Sequence, residues 1–314
     1  MSFIGKRLVI TLITLFLVSL LTFTAFALIP GDPALLALGI EATSEQVAAL
    51  RSDMGLDRSF PEQYFSWLGR FLTGNLGNSS RFRGESVSGM ILERLPVTFT
   101  LAILSLLFIV LISVPAVLLS VKKENGFVDK LVNTFTAINI SFPGFFLGIL
   151  FIWVFGLVLR LFVPGAYIDY RANFGAFLAY LLFPALAIAI PNAAIVIKFL
   201  RASVFQQLRA EYVRTAYSKG NTRRRALYRH ALKNAIIPAV TLLGMIIGEI
   251  FSGSIVIEQV FTIPGIGRLL IASITSRDYT MVQTLVVYIA FMVVLANTLV
   301  DIAIRIIDPR IRFR

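Results

Sequence analysis

Six stretches of this chain, 8–29, 97–121, 131–159, 172–197, 235–257 and 281–300, contain no Asp, Glu, Lys or Arg except Glu249. Each reaches the roughly 20 residues that an α-helix needs to cross the hydrocarbon core of a bilayer. Inside lipid the backbone must satisfy its own hydrogen bonds, which leaves helices or closed barrels. These runs are continuous and do not alternate, so they read as helices. The expected fold is an all-α polytopic membrane protein with six transmembrane helices. A charged fraction of 15% against 57% hydrophobic residues agrees, since soluble domains carry about 25% charge. The first run has a rival reading as a signal peptide, because Ala25-Phe26-Ala27 resembles a cleavage site. A signal core is only about 7–15 residues long, so retention as a helix is the better reading.

The formal net charge of +12 raises nucleic acid as a partner. The basic residues instead collect between alternate spans, as they do in cytoplasmic loops. With the N-terminus inside, 19 of the Lys and Arg lie on the inner side and only four in the short outer loops. Both termini and the basic 198–233 segment are therefore expected in the cytoplasm, with no nucleic-acid partner. The chain lacks cysteine and has a single histidine, His230. Thiolate chemistry is excluded, and a His-based metal site or triad is not expected. No G-x-x-x-x-G-K-[ST] phosphate loop is present, so the chain is not read as an ATPase or other enzyme.

Residues 30–96 mix both charge signs with turn signals and read as a long external loop carrying short helices. One of these, 63–72, bears Tyr64, Trp67 and Phe71, which suit a membrane interface. Two parts are expected: 1–96, the first span with its external loop, and 97–314, a five-helix core with a cytoplasmic loop at 202–234.

That loop is the most unusual stretch. No breaker interrupts 202–219, so the preceding span should continue through it. Val213, Ala216, Tyr217 and Gly220 share one helical face. Gly220-Asn221 signals a turn, and Thr222 can cap a second helix through Arg223-Arg224-Arg225 to Asn234. An aromatic face beside a glycine turn favours a protein contact. A basic collar for anionic lipid headgroups is the alternative. Within the spans, Glu249 is costly and is a candidate for the translocation pathway, with pairing to another span as the alternative. Asn139 and Asn192 are weaker pathway candidates and suit interhelical hydrogen bonds. Asp301 and Arg305 are spaced for an i,i+4 pair.

Several collinear motifs extend this reading. They include Leu28-Ile29-Pro30-Gly31-Asp32-Pro33, Met54-Gly55-Leu56-Asp57, Gly77-Asn78-Ser79, Glu93-Arg94-Leu95-Pro96 and Ile140-Ser141-Phe142-Pro143. Glu211-Tyr212-Val213-Arg214-Thr215-Ala216, Arg229-His230-Ala231-Leu232-Lys233-Asn234-Ala235, Glu258-Gln259-Val260-Phe261, Arg277-Asp278-Tyr279 and Asp308-Pro309-Arg310 follow. Together they resemble the permease subunits of bacterial ATP-binding-cassette importers, in the dipeptide, oligopeptide and nickel branch, and the first permease of the pair.

The resemblance implies a type I importer permease fold in the bacterial cytoplasmic membrane. It implies as partners a second homologous permease, two ATPase subunits that bind the ATP and Mg, and an external binding protein. No cofactor is implied in this chain. The basic loop corresponds to the EAA loop that docks on the ATPase. In its general pattern Arg214, Thr215 and Ala216 stand for Glu-Ala-Ala, Gly220 and Leu232 match, His230 replaces Ile, and Lys233 replaces Pro. Tyr212, Val213, Ala216, Tyr217 and Gly220 are the expected ATPase contacts. Peptides are the implied cargo, with nickel or a metal chelate, glutathione or another small solute as alternatives. An ion-driven secondary transporter is the alternative from another class.

Overall fold

The computed structural model describes residues 3–28, 32–38, 42–53, 55–79, 81–82 and 85–307, with the side chains of 3, 4, 33, 36, 37, 50 and 303–307 excepted. The Arg305 side chain of the expected Asp301–Arg305 pair and the Asp308-Pro309-Arg310 motif lie outside the described residues. Among those described, every regular element is helical.

Among the described residues, five helices are long and apolar enough to cross a membrane: Gly5–Ala27, Val87–Ser120, Phe174–Leu208, Arg223–Val260 and Tyr279–Ile302. The expected span 131–159 is not one straight helix. It is a pair, α6 (Phe127–Ser141) and α7 (Gly144–Phe151), the latter continued by a π-helical stretch at Ile152–Val158, and the two are bent by 99°. Pro143 causes the break. Proline has no N–H and pushes the residue before it out of the helical region, and Phe142 is extended at φ −99°, ψ 129°. With the bent pair taken as one span the number is six.

The chain divides into two compact units. The first comprises 1–96 and 265–295. Its helices are α1 (Phe3–Ala27), α2 (Pro33–Leu38), α3 (Ser44–Asp53), α4 (Phe60–Leu72), the start of α5 (Val87–Ser120), α12 (Ile266–Thr275) and the start of α13 (Tyr279–Ile307). Residues 265–295 were expected with the 97–314 core. They belong here because Ile266, Leu269, Met281 and Leu285 bury against Val87, Met90 and Ile91. Those three residues lie in a turn of α5 that begins before the apolar run, where sequence gave only loop. Part of the aromatic face of α4 packs on α1, while Trp67 and Phe71 stay half-exposed. Tyr64 is buried, its hydroxyl sits 2.8 Å from Ser19 Oγ, and Phe23 meets Phe60, Tyr64 and Trp67.

The second unit comprises 97–264 and 296–314. Its centre is α8 (Phe174–Leu208), packed by α6, α7 and α11 (Leu232–Val260). α8 starts on Asn173, whose side chain accepts from the Ala176 N–H at 3.0 Å. It runs through Pro184 and Pro191 without ending. Ala185, Ala187, Ala189, Ala193 and Ala194 are all fully buried, the small-residue packing that lets membrane helices approach closely. At Gly144 a Cβ would stand 3.2 Å from the Ala187 carbonyl oxygen, so α7 touches α8 backbone to backbone.

In the 159–173 connection, the Tyr167 hydroxyl is buried and has no hydrogen-bond partner among the described residues. Burial first, then the Asp169 charge, push its pKa up to about 12. A raised phenol pKa gives stability that is present below the ordinary value of about 10 and is lost as pH rises toward 12. Tyr167→Phe is expected to melt at the same or a slightly higher temperature near neutral pH, because an unsatisfied buried polar group costs about 1–3 kcal/mol. It should also lose less stability between neutral and strongly alkaline pH. Thermal melts in detergent across that range check both.

Candidate functional site

The basic loop folds as a helix, a turn and a second helix. α8 does not continue to 219 as expected. It stops at Leu208, Arg209 caps it, and Ala210 is extended at φ −71°, ψ 149°. A new helix, α9 (Glu211–Ser218), then begins with an acidic residue in its first turn, which its dipole favours. α10 (Arg223–Ala226) follows the turn and passes through a π-helical stretch, Leu227–Ala231, into α11. Thr222 caps α10 as the sequence suggests, its hydroxyl accepting from the Arg225 N–H.

The turn itself is a Schellman motif. Gly220 has φ +81°, its N–H donates to the Tyr217 carbonyl at 2.8 Å, and the Asn221 N–H donates to the Ala216 carbonyl at 3.1 Å. The Asn221 side chain donates to the same carbonyl at 2.9 Å. No atom lies within 4 Å of where a Gly220 Cβ would stand. The cost of substitution is therefore one of backbone conformation, about 1–2 kcal/mol for most residues and less for Asn. Gly220→Asn is expected to keep the melting temperature in detergent near wild type and Gly220→Val to lower it. Equal losses would indicate that the glycine serves a close contact instead.

The five residues expected on one contact face divide in two. Val213 is 0% exposed and Ala216 5%. Val213 belongs to a small core with Ala226 and Ala231, against which Leu208 packs. In this structure Val213 faces the other arm of the loop, and neither of the two side chains offers an outer surface. Tyr212 and Tyr217 are 38% and 39% exposed, and Gly220 is exposed beside them. The Tyr212 hydroxyl donates to Gln207 Oε1 at 2.7 Å. The loop thus has a buried seam and an exposed aromatic edge.

Glu249 sits near the middle of α11 on an exposed stripe with Met245, Ser252 and Val256, positions that share one helical face. A Cβ on Gly253 would meet nothing within 4 Å. Asn139 and Asn192 behave differently from expectation. Their side-chain amides donate to Phe135 O at 2.8 Å and Ile188 O at 2.9 Å, each four residues back on its own helix. Among the described residues neither amide bonds to another span.

Three features escaped the sequence reading. Glu258, at the end of α11, is fully buried and accepts from Thr98 Oγ1 at 2.7 Å; its place nine residues after Glu249 on one helical run was the available signal. In the first unit, Ser79 donates to the buried Asp278 carboxylate, joining two motifs 199 residues apart. That unit also holds a cavity of about 940 Å³ whose lining includes Phe23, Trp67, Arg58, Arg70, Asn78 and Tyr279. None of the residues proposed from sequence lines it.

Residues 113–313 match the family model described as a binding-protein-dependent transport system inner membrane component, and residues 1–102 match that family's N-terminal region. Among curated proteins, the chain is 35% identical over 311 residues to a probable peptide ABC transporter permease of Sinorhizobium fredii, covering 99% of each. It is 35% identical to a glutathione transport system permease of Pectobacterium atrosepticum, with 100% of each covered. An oligopeptide transport system permease of Bacillus subtilis is 31% identical, with 99% of each covered.

Proposed function

This chain belongs to the family of binding-protein-dependent transport system inner membrane components, and from that premise we propose that it forms half of a peptide pathway driven by ATP hydrolysis in separate subunits. Its partners on this reading are a second homologous permease, two ATPase subunits carrying ATP and Mg, an external binding protein and the surrounding lipid. Both termini and the 202–234 loop face the cytoplasm of the bacterial inner membrane, in keeping with the basic bias of the inner segments.

The observation that carries the reading is the exposed edge of Tyr212, Tyr217 and Gly220, held by a buried seam at the turn of the basic loop. Closure of the ATPase pair on ATP would pull on this edge. Because α10 runs without interruption into α11, a displacement there reaches a span directly. The exposed carboxylate of Glu249 supports a pathway-facing or partner-facing stripe on the same helix, because a lipid-facing carboxylate at mid-span is costly.

Peptide cargo rests on the names of the relatives, most of which mention peptides. Glutathione is the second reading, from a relative of equal identity. The test is reconstitution in proteoliposomes with the ATPase, the second permease and the binding protein. ATP-dependent uptake of a labelled oligopeptide or of glutathione selects between them, and uptake driven by an ion gradient through this chain alone would overturn both.

A further inference from the structure

The short turn 121–126 between α5 and α6 is tied down by groups that the coupling reading does not use. Asp129, in the first turn of α6, is 1% exposed. Its carboxylate accepts two hydrogen bonds from one guanidinium, Arg201 Nε at 2.7 Å and Nη2 at 2.8 Å. It also accepts from Ser120 Oγ at the end of α5 and from the Asn125 N–H at 2.9 Å. Arg201 Nε lies 3.2 Å from Ser120 Oγ, and the guanidinium sits over the Phe205 ring at 4.7 Å. One buried carboxylate therefore holds α5, α6, α8 and the turn at one point.

Two further arginines grip the same turn from the cytoplasmic loop side. Arg209, the cap of α8, reaches Glu124 at 2.7 Å. Arg223, the first residue of α10, donates to the Val121 carbonyl at 3.4 Å. Beneath them Val117 and Val121 pack with Val204, Phe205 and Leu227 in one buried cluster. The first of the three consecutive arginines thus bonds to protein, where sequence offered a lipid collar as its alternative.

A buried ion pair is weak ground for stability, since well-packed apolar replacements often do as well. What an apolar pair lacks is direction: a bidentate Arg–carboxylate contact fixes two elements in one relative orientation. We propose that Asp129 and Arg201 are positioning residues for coupled transport. Their pair makes the 121–126 turn a rigid second arm, through which movement of α10 is passed to α5 and α6 as well as to α11. The inference rests on the permease reading above.

The experiment uses the whole transporter in proteoliposomes, reading ATP hydrolysed and peptide taken up in the same sample. Variants are Asp129→Asn, and the double variant Asp129→Leu with Arg201→Met, which replaces the pair by apolar side chains. Both are expected to assemble with the ATPase and to hydrolyse ATP. The ATP consumed per peptide should rise about tenfold in the double variant, within the usual range of coupling between sites, and less in Asp129→Asn. A purely structural pair would change the yield of complex and leave that ratio alone. An assembled double variant with the wild-type ratio overturns the inference. Failure of both variants to assemble also overturns it, because the pair is then only a folding element. Absence of ATP-driven uptake by the wild-type complex overturns the permease reading instead.

Discussion

Val213→Asp is expected to abolish ATP-driven uptake and to release the ATPase from the purified complex. The Val213 side chain is fully buried in the seam between the two arms of the basic loop. A carboxylate there has no cation in the seam to meet it, and an unpaired buried charge costs several kcal/mol. α9 is only eight residues long, far below the roughly 12–15 at which an isolated helix holds in water. The burial of Val213 against Ala226 and Ala231 docks it, so the substitution should detach the whole arm. Thr215→Asp places the same charge on the exposed side of the same helix. It should cost no more than about 0.5 kcal/mol of stability, as exposed substitutions usually do. Co-purification of ATPase with each variant, followed by uptake, checks the contrast. Retention of ATPase by Val213→Asp would mean that α9 is not the docking element.

The second large effect is expected at Glu249. The residue has no hydrogen-bond or ionic partner among the described residues, and it faces outward from α11 beside Ser252 and an open Gly253. An ionised group near the middle of a span costs about 2.5–3.5 kcal/mol on insertion scales, so water or another subunit must cover this stripe. If it borders the pathway, Glu249→Gln removes an attraction for the ammonium group of a peptide. Uptake of cationic peptides should fall by about tenfold, the effect of roughly 1.4 kcal/mol in a desolvated site. Peptides with blocked amino termini and no cationic side chain should be affected much less. Equal uptake across such a series, with normal assembly, would move Glu249 to a pairing role at a subunit interface.

The span positions were legible because lipid imposes one rule on every residue of a crossing helix. The uncharged runs therefore mark where the helices cross, although α5, α8 and the Arg223–Val260 helix each extend well past their runs. Breaks that depend on a single bond were partly legible. Pro143 marks the bend between α6 and α7, while Pro184 and Pro191 leave α8 unbroken among its packed neighbours. The stop at Leu208 carried no sequence breaker at all; it follows from the docking of α9, a tertiary cause. Gly220 and Thr222 were readable because turn and cap chemistry is local.

The side-chain roles were less readable. Periodicity put Val213, Ala216 and Tyr217 on one face, but it could not say that the first two would be buried and Tyr217 left exposed. The Asp129–Arg201 pair joins residues 72 positions apart, and the Ser79–Asp278 contact 199. Such pairs are written in the fold and leave no local pattern. Asn139 and Asn192 show the reverse, since a polar residue in a span can spend its donor on its own helix.

The chain contains no cysteine, so a single Cys introduced at Tyr217 is its only thiol. In the assembled transporter, that thiol is expected to crosslink to an ATPase subunit with a short bifunctional reagent and to be protected from maleimide. Its crosslinking yield should change when ATP binds. Free labelling of the Tyr217→Cys thiol in the active, assembled complex, at the same rate as in this chain alone, would contradict the assignment of the α9 edge as the surface through which ATP drives transport.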